Sequence, residues 1–152
     1  MTQRLNPYTA APDGLAALGG VETYLHKCGL DPKLIALIKT RVSQINGCAY
    51  CLHMHTEEAR KLGESEARLY LLNAWHESNL YTARERAALA WAESLTNIAA
   101  THAPDDVYDE TRRHFSEKEL ADLSIAIAMI NAWTRLAIGV RSVHPADILK
   151  AA

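Results

Sequence analysis

No stretch of sustained alternation between apolar and polar residues occurs in this chain, nor any low-complexity tract or tandem repeat. Strand-built and solenoid architectures lose their sequence basis with them. Proline and glycine are scarce, five and seven among 152 residues, while Ala and Leu are abundant, a balance that favours helices. One-sided charge is missing too. A net charge of −2 leaves no footprint for nucleic acid or an anionic membrane. The opening Met1-Thr2-Gln3-Arg4-Leu5-Asn6-Pro7 has no apolar run of the export-signal kind, so the expected compartment is the cytoplasm. The most apolar stretch, 120–140, is interrupted by Asp122, Asn131 and Arg135 and reads as a core helix, not a membrane span.

What is present is helical punctuation. Leu15, Leu18, Val21, Tyr24 and Leu25 recur at helical spacing, with Gly29 as a stop. Asp31-Pro32 caps and opens a second helix, whose stripe of Leu34, Leu37, Ile38, Val42 and Ile45 runs to Asn46-Gly47. A third helix starts at the cysteine pair and runs to Gly63. Ser65 can cap the next, and Thr82 with Glu85 forms a capping box before Leu89, Trp91, Leu95 and Ile98. Pro104 opens a short helix through Tyr108, and Ser116 with Glu119 introduces the long helix to Val140. A last short helix is expected near Pro145–Leu149. The fold class is therefore all-α, with about seven helices: an arm over 1–13, then one helical domain over 14–150. The stripes Leu89/Trp91/Leu95 and Ile125/Met129/Trp133 read as core.

Two of the three cysteines and two of the seven histidines fall in Cys48-Ala49-Tyr50-Cys51-Leu52-His53-Met54-His55. On a helix advancing about 100° per residue, with Cys48 at zero, Cys51 lies near −60° and His55 near −20°. His53, near 140°, points the opposite way. Thiols at a helix start gain thiolate character, and an imidazole on the same face can exchange their proton. An activated thiolate that attacks a peroxide becomes a sulfenic acid, which a second thiol one turn away condenses into a disulfide. Two other readings compete: both cysteines as small core residues, or Cys48, Cys51 and His55 as three metal ligands. No second cluster offers an evident fourth ligand. Cys28 reads as apolar filler beside Gly29, and His26, His76, His102, His114 and His144 as surface or capping groups.

The string Ser43-Gln44-Ile45-Asn46-Gly47-Cys48-Ala49-Tyr50-Cys51-Leu52-His53-Met54-His55 resembles the alkylhydroperoxidase D-like branch of the carboxymuconolactone decarboxylase superfamily. Arg41, Thr56 to Ala59, and Asn131-Ala132-Trp133 with Arg135 extend the likeness over roughly residues 15 to 145. The resemblance implies an all-helical subunit assembled into homotrimers or homohexamers, working as a peroxidase and disulfide oxidoreductase on hydrogen peroxide or organic hydroperoxides. No metal and no organic cofactor is implied; the partners are the peroxide and an external dithiol. Carried over by residue, Cys51 is the peroxidatic thiol, Cys48 its proton donor and resolving partner, and His55 part of the proton relay. Helix-end electrostatics alone would make Cys48 the more acidic thiol. A lactone decarboxylase like the other branch, or a redox sensor that does not turn over, are the alternatives. One position departs from the pattern. A glutamate expected twelve residues before Cys48 is Ala36, which carries no proton. Glu57, Glu58 or an acid from elsewhere in the fold are the candidate substitutes, and a slower peroxidase is expected.

Overall fold

The structure is a computed structural model that describes residues 2–144. The expected helix at Pro145–Leu149 lies outside the described residues. Every regular element among them is helical. They are α1 (Pro7–Ala10), α2 (Pro12–Leu25), α3 (Pro32–Asn46), α4 (Ala49–Lys61), α5 (Glu66–Leu71), a 3-10 stretch (Leu72–Glu77), α6 (Ala83–Thr96), α7 (Ile98–Thr101), α8 (Asp105–His114) and α9 (Glu117–Val140). The all-α expectation holds, with more pieces than seven. The additional ones are the single turns α1 and α7 and the six-residue 3-10 stretch, each too short to show an apolar period in the sequence. Asn6 caps α1, accepting the Tyr8 N–H at 3.0 Å, and α6 stops at Asn97. Ile98 thus falls in α7 and is exposed instead of closing the α6 stripe.

Helix starts follow the capping chemistry read from the sequence. The Asp31 carboxylate accepts the Lys33 N–H with Pro32 in the first turn. Thr82/Glu85 and Ser116/Glu119 both form reciprocal capping boxes. Gly29, Gly47 and Gly63 all have positive φ, and Gly47, at φ 66°, ends α3 and turns the chain into α4.

α3 is the centre of the molecule. Residues 34–40 are buried without interruption, followed by Val42 and Ser43, because α4, α6 and α9 pack around this helix. Burying each Leu, Ile or Val there contributes about 1.5–3 kcal/mol, as an upper bound. α9 lies across α3, α6 and α2 and buries Leu120, Leu123, Ala126, Ile127 and Ile130. By length and composition alone it could span a bilayer; its apolar residues are instead divided between this core and the surface, where Ile125 and Ile138 are exposed. Ile125 thereby departs from the core stripe expected of it. The polar interruptions of α9 are partnered: the buried Asp122 carboxylate accepts from the Tyr24 hydroxyl and the Lys118 ammonium, both at 2.6 Å.

Candidate functional site

The α3–α4 turn builds the site. Cys48 is the N-cap of α4, in extended backbone (φ −88°, ψ 98°). Its N–H donates to Ser43 O at 3.1 Å, and its Sγ accepts the Cys51 N–H at 3.2 Å. A sulfur thus does what a serine hydroxyl does at most helix starts. Cys48 and Cys51 are joined as a disulfide with Cα atoms 5.3 Å apart. Both are buried, and one turn on His55 is only 5% exposed on the same side of α4. His53 faces away, beside Glu57 at 3.7 Å. The angular separation expected of the two imidazoles is therefore realised.

Cys51 and His55 line a cavity of about 640 Å³. Cys48, 1% exposed, is not among its lining residues. Tyr8, Leu15, Tyr50, Met54, Ile130 and Trp133 supply apolar walls, while Glu22, His26, Lys39 and Glu58 add polar groups. The last four also line a small adjoining recess against Leu25, Pro32 and Ile35, which places them together at the α2–α3 side.

Three of the lining side chains form a chain of contacts. The Lys39 ammonium meets Glu22 at 2.6 Å, and the Trp133 indole donates to the other Glu22 oxygen at 2.9 Å. Separately, His55 Nδ1 lies 2.9 Å from Glu58 Oε2. The hydrogen bond from His55 is the chief reason Glu58 is held below the ordinary carboxylate range. Burial opposes it, and the charges of His55, Lys39 and His26 assist.

Ala36 is fully buried and packs with Ala59 and Leu69, outside the cavity lining. Arg41, part of the extended resemblance, also stays outside the cavity. It bonds Glu93 at 2.8 Å and Asn73 at 2.6 Å, tying α3 to α6 and the 3-10 stretch. Asn131 and Arg135 serve the cysteine turn. Asn46 Nδ2 donates to Asn131 Oδ1 (2.9 Å) and Thr134 Oγ1 (3.0 Å), Asn131 Nδ2 donates to Thr96, and Arg135 donates back to Asn131 Oδ1. This network anchors the last residue of α3, two positions before Cys48. Among the described residues no group of three or more His, Cys, Asp or Glu is placed to hold a metal ion. Cys28 is half-buried and packs against the core, as a filler would.

Sequence reading missed Lys39, Glu22 and the cavity role of Trp133. Lys39 did leave a signal: it sits four residues after Ile35 and three before Val42, a charge inside an apolar stripe. Trp133 left none, because a stripe residue facing a cavity looks like one facing the core.

Known proteins agree with this architecture. The model of the carboxymuconolactone decarboxylase family matches residues 10–94. An uncharacterised Bacillus subtilis (strain 168) protein, YdfG, is 42% identical over 138 residues, 91% of this chain and 94% of its own. A solved structure of an Agrobacterium tumefaciens protein of unknown function, described as a candidate antioxidant-defence protein AhpD, superposes with TM-score 0.92 at 44% identity. That match covers 95% of this chain and 99% of the other. The debrominase Bmp8 shares the fold at TM-score 0.81 and 24% identity, over 91% of this chain and 74% of its own.

Proposed function

We propose that this chain, which belongs to the carboxymuconolactone decarboxylase family, is a thiol-dependent peroxidase and disulfide oxidoreductase. One observation carries the reading: of two bonded cysteines, Cys51 lines the cavity with His55, whereas Cys48 is enclosed. The substrate-facing thiol is thus the one that the resemblance makes peroxidatic.

The reaction starts from the dithiol. His55 takes the Cys51 proton, and the thiolate attacks one oxygen of the peroxide. The S–O bond forms as the O–O bond breaks, and the leaving oxygen receives a proton to depart as water or an alcohol. Cys51 is then a sulfenic acid. Cys48 attacks its sulfur, the S–S bond forms, and the hydroxyl leaves as water with the Cys48 proton. An external dithiol returns two electrons and two protons by thiol–disulfide exchange. No metal or organic cofactor enters these steps. A homotrimer or homohexamer is the proposed assembly, for which exposed Ile98, Ile125 and Ile138 supply apolar surface.

The test is peroxide consumption with a dithiol donor by wild type, Cys48→Ser and Cys51→Ser, with mass spectrometry of each. Sulfenic acid accumulating on Cys51 of Cys48→Ser is the expected result; finding it only on Cys48 of Cys51→Ser reverses the roles. The family match also keeps a lactone decarboxylase in view, and loss of γ-carboxymuconolactone without peroxide turnover would select it. Oxidation without turnover would select a redox sensor.

A further inference from the structure

The relay position at Ala36 holds no acid, and the packing of that residue against Ala59 and Leu69 leaves it no access to the cavity. An acid nonetheless stands at the imidazole. Glu58, the neighbour of Ala59, approaches His55 Nδ1 to 2.9 Å from one turn further along α4, and both side chains line the cavity that Cys51 faces. We propose that Glu58 is the positioning residue of the thiol site, replacing from α4 the carboxylate missing from α3. It acts through His55 and touches no substrate.

The chemistry follows from the hydrogen bond. A carboxylate accepts only, so Nδ1 must carry the hydrogen and Nε2 is left as the proton acceptor. When Nε2 takes the Cys51 proton, the imidazolium forms beside a negative charge, which favours the thiolate–imidazolium pair. Glu57, the other candidate, is engaged elsewhere: it faces His53 at 3.7 Å and Lys61 at 3.9 Å. The other titratable groups that line this cavity are Glu22 from α2, His26 just after it, Lys39 from α3, Tyr8 from α1 and Tyr50 on α4. α9 presents Ile130, Trp133 and Leu136 and no titratable group. Lys39 is already bound to Glu22, which leaves Glu58 as the carboxylate in contact with His55.

This inference rests on the thiol-peroxidase reading but can be tested apart from it. The reduced full-length protein is alkylated with iodoacetamide across a pH series, and modification of Cys51 is followed by peptide mass spectrometry. Wild type, Glu58→Gln, Glu58→Asp and Glu57→Gln are compared. Glu58→Gln is expected to slow Cys51 alkylation at neutral pH about tenfold and to move the midpoint of the pH profile upward by roughly one unit. Glu58→Asp is expected to recover most of the rate, and Glu57→Gln to match wild type. The direction discriminates. Were Glu58 merely a nearby negative charge, its loss would ease thiolate formation and move the midpoint down. A superimposable or lowered profile in Glu58→Gln, or equal slowing in Glu57→Gln, overturns the proposal. Because Glu58 is part-exposed, with 39% of its side chain accessible, the Gln variant should fold; if it does not, nitrogen NMR of His55 in the reduced wild type decides, a hydrogen on Nδ1 of the neutral imidazole supporting the role and one on Nε2 overturning it. Wild type that alkylates normally yet consumes no peroxide refutes the peroxidase reading, and the alkylation profiles still decide the role of Glu58.

Discussion

Replacing Lys39 by methionine tests how the cavity is held open. The substitution keeps the length and volume of the side chain and deletes the ammonium. Lys39 and Glu22 are 2.6 Å apart, with side-chain exposures of 6% and 20%. Removing one partner of a buried pair costs about 3–5 kcal/mol, mostly from the charge left behind. Glu22 keeps the Trp133 indole N–H and some contact with water, so we set the loss below that range, at about 2–3 kcal/mol. A second change, Glu22→Gln, removes the stranded charge while its amide oxygen still accepts from the indole. The double variant should therefore lie within about 1 kcal/mol of wild type, roughly 2 kcal/mol more stable than Lys39→Met alone. At about 2–4 °C per kcal/mol for a chain of this size, Lys39→Met melts roughly 7 °C lower and the double variant recovers most of it. Urea unfolding with the disulfide kept oxidised, at one fixed protein concentration, provides the cycle. Lys39→Met within about 0.5 kcal/mol of wild type, or a double variant no more stable than the single, would show that the pair gives the cavity no electrostatic support.

Asn131→Ala should lower stability by about 2 kcal/mol, because it strips partners from Asn46, Thr96 and Arg135. Loosening the end of α3 should also speed alkylation of reduced Cys48, which peptide mapping would detect. Acid sensitivity has a definite sign. In Glu93, burial raises the pKa but bonds from the Trp75 indole and Arg41 outweigh it, and Glu58 is lowered chiefly by His55. Folded pKa values below the ordinary 4.5 mean that this stabilisation is complete above that pH and is lost as pH falls through the depressed values. Melting temperature should fall below about pH 4.5, and Glu93→Gln should be less stable than wild type near neutrality with a flatter acid limb. His102, exposed and left-handed at φ 55°, carries backbone strain that glycine relieves. His102→Gly should raise the melting temperature by about 2 °C, an increase of roughly 0.5–1 kcal/mol.

Much of the molecule was legible because its determinants are local. Caps at Asp31, Thr82 and Ser116 act within one turn, and each starts the helix its sequence announces. The juxtaposition of Cys48, Cys51 and His55, and the exclusion of His53, follow from the pitch of a single helix, so sequence spacing suffices. The single-turn pieces α1 and α7 were invisible because one turn contains no period. The departure at Ala36 could be seen in the sequence, and its remedy was narrowed there to Glu57, Glu58 or an acid from elsewhere in the fold. Proximity alone leaves Glu57 and Glu58 equal, but the pitch of α4 separates them, Glu57 at about 180° beside His53 and Glu58 at about −80° on the side of His55, and the structure realises both contacts.

The sequence by itself determined the helices, the cysteine turn and the shared face of two thiols and one imidazole, all consequences of forces that act over a few residues. Tertiary structure alone decided which thiol meets the cavity, and that Glu22, Lys39 and Trp133 belong together. Those three come from α2, α3 and α9, and only the packing of these helices against one another brings their charges and their indole within hydrogen-bonding range.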